Sequence, residues 1–229
     1  MRNNSLINQS IINKKGVTLI ELLVVLVISG IVIGGIYKVF IAQTRAYTVQ
    51  DQVAEVQQDV RGAMEIMVRD IRMAGFQTNS FNNAMITTTP IVPNSSGITV
   101  NYEYIPSAGP PVAYTVAYTL VGTNLFRTFN GVQDPLPLLS NVKNLNFSYG
   151  IDADGDGIID GIINPPGIIP TGAFVQAAGV GTAKILAVNI TLTAKPAPVD
   201  PDVQTMVLPR TLTSAVTPRN LFFKRYQAY

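Results

Sequence analysis

Residues Val17 to Ala42 read VTLIELLVVLVISGIVIGGIYKVFIA, and no residue from Leu22 to Tyr37 carries a charge. With Val17 to Ile20 included, the apolar run reaches the ~20 residues needed to cross a hydrocarbon core. In lipid, a helix is the single-segment structure that satisfies its own backbone. Arg2, Lys14 and Lys15 stand in front of the run and hold that side in the cytoplasm, which places the C-terminal part outside. A secretory signal peptide has an apolar core of about 7–15 residues ending in an A-x-A-like site. The run here is longer and has no such site. A plain membrane anchor explains the apolarity but not Glu21. A carboxylate in an apolar span costs up to about 2.5–3.5 kcal/mol at a helix centre, less near an end, and so calls for a partner.

The chain has 229 residues, enough for one substantial domain with an extension or for two small domains. Its net charge is +2, and three of its 16 basic residues lie in segment 1–16, which has no acid. Without that segment the chain holds 13 basic and 14 acidic groups, a balance that gives no reason to invoke nucleic acid as a main partner. Cysteine and histidine are both absent, which excludes disulfides and the usual Cys/His zinc sites. Acid–base catalysis near neutral pH would need a tuned Asp, Glu or Lys, and no paired constellation suggests one. The composition therefore points away from an enzyme.

The helix continues past the membrane, since no proline occurs before Pro90. Val49, Val53, Val56, Val60, Met64, Met67 and Ile71 recur at spacings of four and three, forming one apolar stripe. Such a stripe serves either a coiled-coil seam or a face laid on the protein's own sheet, and the sheet is the preferred reading. Glu65 and Arg69 are spaced as an i,i+4 pair, and Gly75 is a natural stop. One helix over about 17–74 follows. Gly30 and Gly34 form G-x-x-x-G, read here as room for close helix packing rather than as a dimer motif.

Beyond Gly75, β-branched and aromatic runs alternate with Pro, Gly and Asn turns. Strands are expected at Met85–Val92, Ile98–Ile105, Val112–Val121, Leu125–Phe129, Val142–Tyr149, Lys184–Ala194 and Val203–Leu208. Leu186, Val188, Ile190 and Leu192 should face inward, with Ala187, Asn189 and Thr191 outward. Residues 161–180 read as a long loop. The fold class is α+β: a long N-terminal helix, membrane-spanning in its first half, packed on an antiparallel β-sheet head. The segments are a basic stretch 1–16, 17–42 membrane half of the helix, 43–75 amphipathic half and 76–229 head, and the stretch 1–16 is the leader in the resemblance described below.

Segment 152–160 predicts a calcium loop. Asp152, Asp154, Asp156 and Asp160 fall at loop positions one, three, five and nine, Gly157 sits at the turn position six, and Ile158 at seven offers its carbonyl. Ile163 replaces the usual bidentate Glu, and the segment resembles isolated Asp-rich calcium loops of extracellular proteins more than an EF-hand. The competing interpretation is a solvated Asp-Gly turn. No Lys or Arg lies between Lys143 and Lys184 to neutralise the acids.

Lys14-Lys15-Gly16-Val17-Thr18-Leu19-Ile20-Glu21-Leu22-Leu23-Val24 resembles the cleavage and methylation motif of type IV prepilins and type II secretion pseudopilins. The resemblance implies cutting after Gly16 by a prepilin peptidase and methylation of Val17, a position where the family usually has Phe. It also implies that Glu21 neutralises the N-terminal amine of a neighbouring subunit. An amine and a carboxylate buried together are tolerable only as a pair. Three patches resemble PilW-like minor pilins: Met64 to Phe76, Asn144 to Gly161, and Thr217-Pro218-Arg219-Asn220. The absence of a kinking proline in the helix and the 213 residues left after removal of segment 1–16 also suit that group.

The function so implied is structural. It is that of a minor pilin in an initiation or tip complex, contacting other minor pilins and the major pilin through the N-terminal helix. The subunit would wait in the inner membrane as a single-pass protein with a periplasmic head, then enter the pilus. A minor pseudopilin of type II secretion is the alternative, as is a tip adhesin or DNA-binding subunit. Arg219, Lys224 and Arg225 form a small basic group that reads as a solvated end or subunit contact, since no stacking platform accompanies it.

Overall fold

The computed structural model describes residues 16–76, 89–104, 112–155, 157–160, 174–196 and 207–223. Helix α1 runs unbroken over Leu19–Arg72. Contacts divide the chain into two compact units, Met1–Tyr47 and Thr48–Tyr229, so the second half of α1 belongs to the head.

In the second unit, α1 buries Val56, Val60, Met64, Met67 and Ile71, the expected stripe, and adds Gln52, Ala63 and Asp70. Met67 and Ile71 are wholly buried, each contributing about 1.5–3 kcal/mol by burial alone. Val49 and Val53 are only half-buried. Gly75 ends the helix at φ +70°, where a Cβ would also approach Leu221 Cδ2 to 2.7 Å. Its amide donates to Asn101 O at 2.9 Å, and Glu103 N donates to Phe76 O at 2.8 Å, so the chain leaving α1 is stitched to the head at once.

The head contains two antiparallel sheets where one was expected. The first is a sequential meander of β1 (Ile91–Asn94), β2 (Gly97–Tyr104), β3 (Val112–Val121), β4 (Asn124–Phe129) and β5 (Val132–Gln133). Asn130 and Gly131, at φ 49° and 81°, make the two-residue turn between β4 and β5. The second sheet has the order β7-β6-β8-β9, from β6 (Val142–Asp152), β7 (Phe174–Val175), β8 (Lys184–Ala194) and β9 (Arg210–Val216). Short helices α2 (Ala177–Val180) and α3 (Arg219–Phe223) complete the elements. A single apolar core joins the α1 stripe to both sheets, through Ile98, Val116, Ile190 and Leu192 among others.

β3 and β8 match their expected bounds, and β2, β4 and β6 lie within a few residues of theirs. Four expectations need correction. The proposed strand Met85–Val92 is Ile91–Asn94 where described, its first residues lying outside the described set. Val207 and Leu208 are not strand, 203–206 lie outside the described residues, and the real strand is β9. Residues 161–180 are not all loop, since they end in β7 and α2, while 161–173 are not described. Finally, Leu186 and Ala187 do not follow the expected alternation. Both are buried in a second small cluster with Ile159, apart from Val188, Ile190 and Leu192. The cause is a register shift: Gly150 pairs with Ala187 but Ile151 with Ile185, which leaves Leu186 as an extra residue and turns the strand's facing there.

Asp70 is the buried acid that joins α1 to the first sheet. Its Oδ2 accepts from Tyr118 Oη at 2.5 Å and from Arg127 Nε at 2.9 Å. Burial, then the hydrogen bond to Asp70, push the Tyr118 phenol far above its ordinary pKa, so it remains a donor. Burial lowers the Arg127 pKa, but the hydrogen bonds and charge of Asp70 outweigh this and the guanidinium ends raised. Arg69 reaches Asp70 Oδ1 at 3.4 Å, and the expected Glu65–Arg69 ion pair does not form.

Asp70→Ala would strand the Arg127 guanidinium and the Tyr118 hydroxyl, at a cost of about 3 kcal/mol. The full-length protein in detergent should show a correspondingly lower denaturation midpoint. Asp70→Ala with Arg127→Leu should recover part of the loss, because no unpaired charge then remains. A single-mutant cost below about 1 kcal/mol would reduce the pair to surface-bridge importance.

Candidate functional site

Gly16 and Val17 are exposed ahead of α1. Thr18 caps the helix: its Oγ1 accepts from Glu21 N at 3.3 Å, and its carbonyl accepts from Leu22 N at 3.2 Å. Thr18-Leu19-Ile20-Glu21 has the spacing of a capping box, with the carboxylate in the first turn where the helix dipole favours it. Thr18 was not singled out from sequence, although the T-x-x-E spacing is a legible signal. Glu21 therefore has a local reason to sit where it does, and its side chain is exposed within its own chain.

Every side chain from Val17 to Phe40 is exposed, with Leu19 at 84% and Ile31 at 71%. The mean hydropathy of the richest stretch of α1 reaches 2.7, and none of that stretch is buried within the protein. A helix apolar on all sides and covered by none of the described residues needs lipid or other helices around it. At Gly30, Gly34 and Gly35 an added Cβ would meet nothing within 4 Å, so no neighbour among the described residues explains the glycines.

The Asp-rich segment caps the end of β6. Asp152 is buried, with Oδ1 accepting from Gly155 N at 2.7 Å and Oδ2 from Gly157 N at 2.9 Å. Gly155 and Gly157 have φ of 81° and 76°, as tight turns require. Asp160 folds back beside Asp152: its amide donates to Ile151 O at 2.8 Å and its Oδ2 accepts from Ala153 N at 2.5 Å. Ile159 anchors the return, packed so closely on Gly150 that a Cβ there would lie 2.8 Å from its Cδ1. Asp154 and Ile158 are exposed, and Asp156 lies outside the described residues. Among the described residues, no group of three or more Asp, Glu, His or Cys is arranged to hold a metal. The pairing of β6 with β8 sets Lys184 directly opposite Asp152, a nearby cation that sequence distance conceals.

The model of the prokaryotic N-terminal methylation motif matches residues 12–37. No curated protein matches the chain. Among solved structures, a type IV-like pilin from Thermus thermophilus is similar at a TM-score of 0.39 and 11% identity, over 72% of this chain and 97% of that one. The chain thus carries the type IV prepilin signal at the start of a long apolar helix, whose second half packs on antiparallel sheets. Both features are consistent with membrane anchoring and with processing for assembly alongside other pilin subunits.

Co-expression with a prepilin peptidase should yield a chain that begins at Val17 and carries one added methyl group, read by intact mass. Gly16→Ala should keep the leader. Among the described residues no atom lies within 4 Å of where the new methyl would stand, so retention would report the peptidase's requirement rather than a clash. Cleavage at another bond, or none in the wild type, would remove the prepilin interpretation.

Proposed function

We propose that this chain is a minor type IV pilin, a structural and non-catalytic subunit of the complex that initiates or tips the pilus. The observation that carries the proposal is the methylation motif at the head of a helix whose apolar first half is uncovered by any described residue. Processing at Gly16–Val17 frees an amine that must enter lipid or a helix bundle. Glu21 supplies the carboxylate for the amine of a neighbouring subunit. The head, with its own core and two sheets, stays outside the membrane. Its large size favours a tip or initiation position over a repeating shaft, and its partners are then other minor pilins and the major pilin.

Glu21→Leu should insert and be cleaved normally, since an apolar residue eases burial, while its incorporation into filaments falls several-fold. Immunogold labelling should place the wild-type head at filament ends. Normal incorporation of the variant would deny Glu21 an assembly role, and labelling along the shaft would overturn the tip position.

The same head is proposed to take up calcium at 152–160. The positive-φ turn at Gly157, at the position a calcium loop bends most sharply, favours this reading. Asp152, Asp154, Asp156 and Asp160 would supply carboxylates and Ile158 its carbonyl. Calcium at about 100-fold over its dissociation constant should stabilise the protein by about 2.7 kcal/mol. A thermal melt of the full-length chain in detergent should therefore rise with calcium and fall back with chelator. Asp152→Ala/Asp156→Ala should abolish the rise. An unchanged melt with no heat of binding would leave an Asp-Gly turn held by Asp152 and Asp160.

A further inference from the structure

The sheet edges are not treated alike. β1 has four residues and contains Pro93, while β5 and β7 have two each. β4 is further covered by the chain after β5: Asp134 N donates to Arg127 O and Leu138 N to Leu125 O. β6, beside short β7, packs against β2. Such shortening and covering are how proteins close their edges against added strands. β9 has none of these devices. It runs seven residues, ends the second sheet, contains no proline, and has no charge after Arg210. Its bonded partner is β8, and no hydrogen bond joins its outer side to any described residue.

A groove of about 670 Å³ runs between this strand and the last turns of α1. Met64, Val68 and Leu212 give it an apolar lining, while Arg61, Arg69 and Arg72 line it with three cations against the single acid Glu65. At the start of β9, Arg210 has a buried Nε with no hydrogen-bond acceptor among the described residues. On the opposite face, Thr211 and Thr213 pair with Thr193 and Thr191 of β8 at 2.8 and 3.4 Å.

We infer that the open edge of β9 accepts an extended strand from a partner protein, one that alternates apolar and acidic side chains on its inward face. Main-chain hydrogen bonds to β9 give such a strand its hold, and the groove selects its side chains. Inward apolar residues extend the Met64–Val68–Leu212 surface. Inward carboxylates meet Arg61, Arg69 and Arg72 and offer an acceptor to the unsatisfied donor of Arg210. Outward threonines continue the Thr211 and Thr213 ladder. The inference goes beyond the pilin proposal and does not depend on it, since it concerns the head alone.

The test uses full-length protein in detergent and a synthetic peptide of about eight residues, two repeats of Thr-Val-Thr-Asp. Saturable binding with a dissociation constant below about 1 mM is expected, with new hydrogen-exchange protection confined to the Arg210–Val216 amides. A Lys-for-Asp peptide and a peptide with a central proline should give no protection. Arg69→Glu/Arg72→Glu changes two exposed side chains and should weaken binding by at least about tenfold. No binding at about 5 mM would overturn the inference, as would equal binding of the lysine peptide or protection at β1 instead. Concentration-dependent protection of β9 without peptide would assign the edge to a second copy of this chain and overturn it equally.

Discussion

The head depends on one buried carboxylate. Asp70 lies on the mostly apolar buried face of α1, and it is shared by Tyr118 of β3 and Arg127 of β4. The stripe of Val56, Val60, Met64, Met67 and Ile71 gives most of the stabilising burial, but a stripe of similar side chains tolerates a slip of one turn. A buried acid does not. Shifted by about 5.4 Å, Asp70 would lie against aliphatic side chains and leave a guanidinium unpaired. The apolar contacts hold the helix on the sheets, and the Asp70 triad fixes where along its length it sits.

The two halves of α1 follow from different surroundings rather than different propensities. Leu22 to Tyr37 carries no charge, and none of the described residues covers it. From Thr48 onward, polar residues return and the apolar ones narrow to a single stripe. No proline or break is needed between the two regimes, because the backbone bonds of a helix are satisfied locally in either medium. The capping contact of Thr18 satisfies the Glu21 amide at the start of α1, and the Glu21 carboxylate lies in the first turn, where the helix dipole favours it.

Much of this was legible in the sequence, and the failures have physical causes. The stripe of α1, its stop at Gly75, and strands β3 and β8 are set by local periodicity and local turn chemistry. Asp70 escaped notice because an acid on a helix reads as solvated until its partners, 48 and 57 residues away, are known. β9 escaped because Thr211, Thr213, Ser214 and Ala215 give little hydrophobic contrast, while Val203–Leu208 looked more apolar. Leu186 and Ala187 were misassigned because a bulge reverses the facing, and a bulge depends on the opposite strand. The acids at 152–160 were legible as a cluster. That Asp152 is held by the amides of Gly155 and Gly157, with Lys184 across the sheet, was not.

Two patches distant in sequence, 64–76 and 217–220, are neighbours in the fold. Asn220 Nδ2 donates to Arg72 O at 3.4 Å across 148 residues of sequence, and Leu221 packs where Gly75 has no Cβ. The closing segment therefore caps the end of α1, supplying an acceptor's partner to one of the last carbonyls that the helix itself leaves unbonded. Gly75 is constrained twice, by its left-handed backbone and by Leu221, so neither feature can change without the other. With Asn101 O holding the Gly75 amide, the end of α1 is tied at once to β2 and to α3. These ties and the Asp70 triad all lie within the last turns of the helix, a short polar junction doubly stitched to the head, while the apolar stripe ahead of it holds the helix on the sheets.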